Sequence, residues 1–364
     1  MSRKYDFTKI PFDRIRSVGQ LSLIYRDLFT VSWILGRYCN YNCSYCWPYA
    51  RCNEKDHRPL ELCLKTIKEI KKQARERGFN SFNFSLSGGE PTLHPNYLDI
   101  VSELADDVPN CNSHGLHMTT NLSRSINFLK EYANIARAFS RVAVTCSYHS
   151  EYANKEKFIE KIIMLQEHDV NVTINMVMVP EWFQRDYENA LYFNSHNINV
   201  TLKPQSDPTA SRVVDGYTDE MLKVLRNGLP QKDYAYEMQK KTGIRDRRPK
   251  TKIIEDRTNI PKNMQIEFVD DTRKKWYMDQ AERFNAFNFN KFKGWICCAG
   301  FSGLIIREPD GSVKRSYSCR DEPLGYLETG FKLFDEPQPC ITDSCVSSAD
   351  SKIPKWKGDE FRCM

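Results

Sequence analysis

The chain has 364 residues, of which 40% are hydrophobic and 27% are charged, an ordinary globular composition that allows a large buried core. Its 53 Lys and Arg exceed its 47 Asp and Glu by only six charges, which argues against a nucleic-acid partner.

The first 25 residues lack the apolar stretch of a secretory signal, and no segment is long and apolar enough to cross a membrane. We therefore expect a cytoplasmic protein without a membrane partner. Thirteen cysteines in such a protein favour metal or redox chemistry over a disulfide framework, because the cytosol keeps thiols reduced. Residues 232–262 are basic, which indicates a solvated linker or, as an alternative, a patch for a phosphate-bearing substrate.

Short β-rich runs alternate with helical patterns over the first two-thirds of the chain. Strands are predicted at 31–36, 82–87, 116–120, 141–147, 172–179 and 200–203. Helices are predicted between them at 60–77, 95–107, 123–139, 154–168 and 185–195. This alternation predicts an α/β fold with a parallel sheet covered by helices. Six such units favour a partial (β/α)6 TIM-like barrel over a closed eight-stranded one.

The pattern changes after residue 204. Helices are predicted near 219–227 and 274–284, and a hairpin at 304–307 and 313–317 around the turn Pro309-Asp310-Gly311. We predict four parts, which are an N-terminal extension (1–27), the partial barrel (28–205), an irregular connecting or substrate region (206–293) and a small β-rich cysteine module (294–364).

Three cysteines follow the first predicted strand with the spacing C-x3-C-x2-C, namely Cys39, Cys43 and Cys46. Three thiolates can each bind one iron of a cubane and leave the fourth iron open to chemistry. The alternative is a structural zinc site, which needs four ligands and would have to recruit Cys52.

This triplet resembles the cluster motif of radical S-adenosylmethionine enzymes. The resemblance implies a 4Fe-4S cluster whose open iron binds the amino and carboxylate groups of S-adenosylmethionine. It also implies reductive cleavage of the sulfonium to methionine and a 5'-deoxyadenosyl radical, which removes a hydrogen atom from an unactivated C–H bond. The electron would come from an external one-electron donor such as flavodoxin or ferredoxin.

Further residues at predicted strand ends match cofactor contacts of that superfamily. Gly88, Gly89 and Glu90 match its GGE motif, whose backbone and carboxylate hold the methionine amino group. Glycine allows the main chain to approach a ligand closely. Asn121 is similar to the TN element near the cofactor, although an ordinary turn role is the alternative.

Other strand ends carry weaker matches. Ser147 resembles the serine that binds the ribose, and Tyr45 fits the aromatic position beside adenine. His149 and Lys203 also follow or end predicted strands. Because both side chains can transfer protons, we predict them as catalytic, substrate-contacting residues, with ordinary polar structure as the alternative.

A second group of cysteines lies near the C-terminus. It resembles the twitch subdomain, a shorter relative of the SPASM extension, in which four cysteines bind one auxiliary 4Fe-4S cluster. The expected ligands are Cys297, Cys319, Cys340 and Cys345, with Cys298 as a possible substitute for Cys297. A structural zinc site is the alternative. A cluster with four cysteine ligands has no open iron, so its natural task is to accept or relay an electron.

The sequence therefore indicates a radical S-adenosylmethionine enzyme with a small polar substrate, such as a sugar, nucleotide or amino-acid derivative. The main alternative is a maturase that crosslinks or epimerises a ribosomally made peptide, as many twitch and SPASM relatives do. A hypothesis from another class is a non-catalytic iron-sulfur electron carrier or a zinc-stabilised binding protein.

Overall fold

The computed structural model describes residues 9–21, 27–106, 114–208, 212–230, 266–278, 289–345, 347 and 349–358. Its strands are β1 (Ile15–Gly19), β2 (Leu28–Ile34), β3 (Ser81–Ser87), β4 (Gly115–Thr120), β5 (Arg141–Ser147), β6 (Asn171–Met178), β7 (Asn199–Pro204), β8 (Ile266–Asp270), β9 (Lys275–Met278), β10 (Ile296–Cys297), β11 (Gly303–Ile306), β12 (Ser312–Lys314), β13 (Gly325–Tyr326), β14 (Gly330–Phe331), β15 (Gln338–Pro339) and β16 (Lys355–Trp356). Its helices are α1 (Leu60–Glu76), α2 (Tyr97–Ala105), α3 (Ile126–Ala136), α4 (Lys155–Glu167), α5 (Phe183–Ser195) and α6 (Asp219–Asn227).

The main sheet has ten strands in the order β14-β13-β12-β11-β2-β3-β4-β5-β6-β7. Neighbours from β2 to β7 pair in parallel, and a helix follows each strand from β2 to β6. This confirms the α/β class and the six predicted strands, since helix crossovers are the usual way to join parallel neighbours. That the sheet curves into a partial barrel stays a prediction.

One face of the main sheet packs against the helices. Phe84, Met118 and Ile174 are fully buried there, on strands β3, β4 and β6. On α1, the apolar residues that the sequence places on one face, including Ile67 and Ile70, are buried against this core. Burial of large apolar side chains on one face is what holds the helices to the sheet.

The opposite face, which we call the inner face, is polar. Side chains alternate along a strand, so every second residue of β2 to β7 points to this face. Ile34, Ala143 and Val177 are apolar residues of this face. Its half-buried hydroxyl, amide and basic residues are more numerous: Thr30, Ser32, Asn83, Ser85, Ser87, His117, Thr119, Arg141, Thr145, Ser147, Thr173, Asn175, Asn199, Thr201 and Lys203. A closed TIM barrel fills its interior with branched apolar side chains, so this face suits a polar ligand better than a packed core.

The predicted hairpin is present as β11 and β12, which pair antiparallel. The structure adds a feature that the sequence does not predict, because β11 also pairs in parallel with β2, from Gly303 opposite Thr30 to Ile306 opposite Trp33. The carboxyl end of β11 therefore lies at the same edge of the sheet as those of β2 to β7.

A second, six-stranded sheet has the order β15-β10-β16-β1-β8-β9. It combines a strand of the N-terminal extension with two from the connecting region and three from the C-terminal module. The boundaries between the four predicted parts stay predictions, and main-chain pairing crosses several of them.

The prediction of a helix near 274–284 is wrong where the structure describes it, because β9 is a strand. It pairs with β8, with Trp276 opposite Phe268, and aromatic residues favour such pairing. The predicted helix at 219–227 is confirmed as α6. The basic segment 232–262 lies outside the described residues, and no helix within the described ranges has the length and apolar character of a membrane span.

Candidate active site

The predicted site residues lie at one edge of the main sheet, at or just after the carboxyl ends of parallel strands. The cysteine loop, residues 39–46, follows β2, and Gly88–Glu90 follow β3. Asn121 follows β4, Ser147 ends β5, and Lys203 is the penultimate residue of β7. Open α/β sheets bind ligands at the carboxyl ends of their strands, so this edge is the candidate active site.

The two glycines allow the turn after β3 to pack directly on the chain that enters the cysteine loop. The N–H of Gly89 donates to Gly36 O at 3.0 Å, and the N–H of Glu90 donates to Tyr38 O at 2.9 Å. A Cβ at Gly88 would overlap Gly36 O, and one at Gly89 would overlap Arg37 O. Glycine is therefore required here for the approach of two backbone segments.

Glu90 is 1% exposed, and its carboxylate joins the ends of β3 and β4. Oε1 accepts from Thr92 N at 3.1 Å, Thr92 Oγ1 at 2.6 Å and Thr120 Oγ1 at 2.7 Å. Oε2 accepts from Asn121 N at 2.6 Å. Burial raises the pKa of this carboxyl, while these hydrogen bonds favour the ionised form. Protein donors thus engage both oxygens, and a contact of Glu90 with a ligand amino group stays a prediction.

Asn121 connects the end of β4 with the cysteine loop. Its Nδ2 donates to Asn40 Oδ1 at 3.0 Å and lies 3.9 Å from Cys39 Sγ. Its Oδ1 accepts from Ser123 N at 2.9 Å, which is the turn role that the sequence left open. The side chain therefore has both a turn function and a contact with the first cysteine.

Backbone bonds fix the start of the cysteine loop. The Asp56 carboxylate accepts from the N–H groups of Arg37 and Tyr38 at 2.9 and 3.0 Å. The N–H of Cys52 donates to Arg37 O at 2.9 Å, and that of Cys39 donates to Cys52 O at 3.4 Å. Cys52 thus stabilises the loop through its backbone, while its thiol donates to Glu54 O at 3.0 Å.

The middle of the cysteine loop is held by the segment that follows β5. The Glu151 carboxylate accepts from Ser44 N at 3.1 Å, and Tyr152 Oη donates to Asn42 O at 2.8 Å. The ring of Tyr152 also stacks on Tyr41, with centroids 4.9 Å apart. The segments that follow β4 and β5 therefore both contact the cysteine loop and hold its conformation.

Tyr45 and His149 form a direct pair. Tyr45 Oη lies 2.7 Å from His149 Nδ1, and the rings stack with centroids 5.9 Å apart. Burial lowers the pKa of His149 to about 4 and raises that of Tyr45, so both side chains are neutral near pH 7. This geometry favours a positioning role for His149 next to the third cysteine, and its predicted catalytic role stays untested.

The three thiols lie on one short loop and interact with each other electrostatically. Burial raises the pKa of all three thiols. The pKa of Cys43 is raised to about 12, with a further contribution from the charge of Glu151. The charge of Arg51 opposes the rise in the pKa of Cys46. Within the described residues, no three His, Cys, Asp or Glu side chains form a site for a single metal ion. A cubane takes each thiolate on a different iron, and whether this loop binds a cluster or zinc stays a prediction.

The inner face below the edge contains a bridging histidine, His117, that no sequence motif indicated. His117 Nδ1 lies 2.8 Å from Ser85 Oγ, and its Nε2 lies 2.8 Å from Thr145 Oγ1, which links β3, β4 and β5. Burial lowers the pKa of His117 to about 4. Near the edge on the same face, Lys203 makes no side-chain hydrogen bond or ion pair with any residue that the structure describes.

Part of the chain matches a known protein family. Residues 33–193 match the family model of the Radical SAM superfamily, which spans β2 to α5. This part of the chain is therefore similar to the Radical SAM superfamily. No curated protein matches the chain.

Several solved structures resemble this chain in fold. A structure described as native anSMEcpe with bound AdoMet has a TM-score of 0.50 and 15% identity, and the match covers 84% of this chain and 79% of that one. A structure described as native anSMEcpe with bound AdoMet and Kp18Cys peptide matches with the same values. At this identity, the likeness shows the fold alone.

The predicted auxiliary cysteines lie outside the match to the Radical SAM domain and form a buried group. They belong to the same apolar cluster as Phe292 and are Cys297, Cys319, Cys340 and Cys345, each at most 8% exposed. Cys298 is disulfide-bonded, whereas the Cys297 thiol is free. This favours Cys297 as the fourth member of the group, and that the group binds iron stays a prediction.

Lys355 is a buried cation beside these cysteines, at 1% exposure. Its Nζ donates to Asp350 O at 2.6 Å and to Ile353 O at 2.8 Å. Burial acts to lower the Lys355 pKa, but the charges of Cys345 and Cys297 outweigh it and raise that pKa. Burial raises the pKa of Cys345 to about 12, and Lys355 opposes that shift. Because lysine is almost never fully buried without a partner, this arrangement suits an anionic centre. A single lysine outside any motif gave no signal in the sequence.

Proposed function

We propose that the chain is a radical S-adenosylmethionine enzyme. The observation that carries the proposal is the loop with Cys39, Cys43 and Cys46, held at the carboxyl edge of a parallel sheet within the part of the chain similar to the Radical SAM superfamily. Members of this superfamily are enzymes. Bound to these thiols, a 4Fe-4S cluster would supply the electron that cleaves S-adenosylmethionine into methionine and the 5'-deoxyadenosyl radical that removes a substrate hydrogen atom.

The residues around the loop would position the cofactor. Gly88 and Gly89 bring their backbone against the cysteine loop, so the turn after β3 is the proposed contact for the methionine amino group. Asn121 orients the loop beside the first cysteine. Tyr45 is the proposed neighbour of adenine and Ser147 that of the ribose, since both lie at the same edge.

The decisive experiment is Cys43→Ala in oxygen-free, reconstituted protein. We expect reduction with dithionite to give no 5'-deoxyadenosine from S-adenosylmethionine, because one thiolate of the triplet is lost. Cys52→Ala is the matched control, since its thiol lies outside the triplet and donates to Glu54 O, and its backbone bonds remain. Retained cleavage in Cys43→Ala would reject the assigned site, and loss of bound metal in Cys52→Ala would favour zinc.

We further propose that the C-terminal cysteines bind an auxiliary 4Fe-4S cluster that accepts the electron left after hydrogen abstraction. The support is the buried group of four thiols with Lys355 beside it. Fully reconstituted protein should contain about eight irons, as expected for two cubanes. About four irons with one bound zinc would reject the auxiliary cluster in favour of structural zinc.

The proposed substrate is a small polar molecule. The inner face favours it, because hydroxyl and amide groups cover that face from β2 to β7. A peptide substrate is the alternative, favoured by the likeness of fold to anSMEcpe, one structure of which is described with a bound peptide. Candidates of both classes, deuterated at C–H positions, should be compared for transfer of deuterium into 5'-deoxyadenosine. Transfer from a peptide alone would reject the small-molecule proposal.

A further inference from the structure

Arg307 lies at the candidate active site, although it belongs to the C-terminal part of the chain. It directly follows β11, and its N–H donates to Ser312 O at 2.9 Å, which continues the antiparallel pairing of β11 with β12 by one residue. In the parallel pairing of β11 with β2, Ile305 is opposite Ser32. Side-chain alternation therefore places Arg307 on the inner face, beside Ile34, whose partner on β3 is Ser87.

Tyr317 reaches the same corner of the sheet. Its phenol contacts the side chains of Ser32 and Ser87 and lies within range of the charge of Arg307. Its backbone is fixed from the other side, because the Asp350 carboxylate accepts from Tyr317 N at 3.2 Å. A phenol, two hydroxyls and a guanidinium thus meet immediately before the glycine turn.

The charge of Arg307 is not neutralised by a described residue. Its guanidinium makes no hydrogen bond or ion pair with any residue in the described ranges, and strands β2 to β7 and β11 carry no Asp or Glu on the inner face. Two other arginines near this module are paired, Arg58 with Glu308 at 2.8 Å and Arg315 with Asp321 at 3.0 Å. A half-buried cation without a counter-charge is suited to an anionic ligand.

We propose that Arg307 and Tyr317 bind an anionic group of the substrate, a carboxylate or a phosphate, at the carboxyl ends of β2 and β3. The planar guanidinium can hold either group through two parallel hydrogen bonds, and the phenol can donate a third. That this anionic group belongs to a substrate rests on the proposed function. The inference narrows the small polar molecules considered above to acidic ones.

The test measures anion binding directly. Oxygen-free, reconstituted full-length protein is titrated calorimetrically with inorganic phosphate and, separately, with acetate, at ionic strength held constant with chloride. For Arg307→Gln we expect at least tenfold weaker binding of the preferred anion. For Arg307→Lys we expect an intermediate loss, because lysine keeps the positive charge but cannot form the two parallel hydrogen bonds of a guanidinium. Arg137→Gln, an exposed arginine at the end of α3, is the control and should bind like wild type. Unchanged affinity in Arg307→Gln, or no anion binding by wild type, would overturn the proposal.

A second measurement separates the substrate from the cofactor, which has a carboxylate of its own. Equilibrium dialysis should show that Arg307→Gln binds S-adenosylmethionine within twofold of wild type. A tenfold loss there would assign the residue to the methionine carboxylate and overturn the substrate assignment. Neither measurement requires reduction, so a wild-type protein that binds anions but forms no 5'-deoxyadenosine would refute the proposed reaction and leave the anion site intact.

Discussion

The two cysteine sites of this chain are built in opposite ways. The first uses three thiols within eight consecutive residues, at a sheet edge where Cys39 and Cys46 are half-buried. The second uses four thiols from distant segments, all buried in an apolar cluster. An edge with three thiols leaves room for a ligand, whereas an enclosed group of four does not.

The surroundings differ as well. The thiols of the first site have the carboxylates Glu90 and Glu151 nearby, whose charges raise the pKa of Cys39 and of Cys43, and the cation Arg51, which acts to lower that of Cys46. The second site has the buried cation Lys355, whose charge acts to lower the pKa of Cys297 and of Cys345 against the effect of burial. Because the first site is half-buried and the second is enclosed around a buried cation, we infer that the first suits exchange of ligands and the second a fixed centre.

The largest expected effect tests whether the second site needs Cys297. Cys297→Ser should remove about four of the eight irons while 5'-deoxyadenosine still forms, because the first site is untouched. Cys298→Ser is the matched control, since that residue is disulfide-bonded, and its iron content should equal that of wild type. The reverse result, with iron lost only in Cys298→Ser, would exchange the two assignments.

The packing of the first site is tested by Gly89→Ala. The added methyl would overlap Arg37 O and Tyr38 O, so we expect a loss of about 3 kcal/mol in unfolding free energy and weaker iron binding at the first site alone. Gly78→Ala is the control, because it has a positive φ of 86° but open space around it, and about 1 kcal/mol is expected. Urea denaturation measures both, and equal losses would mean that the close approach is unimportant.

Much of this comparison was predictable from the sequence, for reasons that particular residues make clear. The spacing of Cys39, Cys43 and Cys46 is local, and the strands β2 to β7 follow from local alternation of strand and helix patterns. β1 was missed because its partners are remote, with Ser17 opposite Val269 and also opposite Trp356. Local patterns do not record which distant strand a segment joins.

The same limit applies to the charged residues. The hairpin with Arg307 was predicted, but its parallel pairing with β2, which brings Arg307 to the site, is a tertiary choice. Lys355 belongs to a two-residue strand near the C-terminus, and only its burial beside four cysteines distinguishes it from other lysines. The prediction of a helix at β9 was wrong for the same reason, because pairing with the distant strand β8 outweighed the local helix propensity.

The charge compensation of the second site is tested by Lys355→Met. Removing a buried positive charge makes an added electron less favourable, so we expect the reduction potential of the second cluster to fall by on the order of 50 mV, about 1 kcal/mol. The first cluster should keep its potential, which electron paramagnetic resonance during redox titration can resolve. Lys357→Met, an exposed lysine of the same segment, should shift neither. A change confined to the first cluster would contradict the placement of Lys355.

The smallest expected effect concerns the support of the first site. Tyr45→Phe keeps the ring that stacks on His149 but removes the 2.7 Å hydrogen bond, so we expect a loss of about 1 kcal/mol in unfolding free energy. Tyr49→Phe, at a residue 52% exposed, is the control and should change stability little. Because iron content should stay at the wild-type value in both variants, the measurement separates positioning of the loop from ligation. A full loss of iron in Tyr45→Phe would mean that the pair holds the cluster itself, and the two sites would then differ less than their geometry indicates.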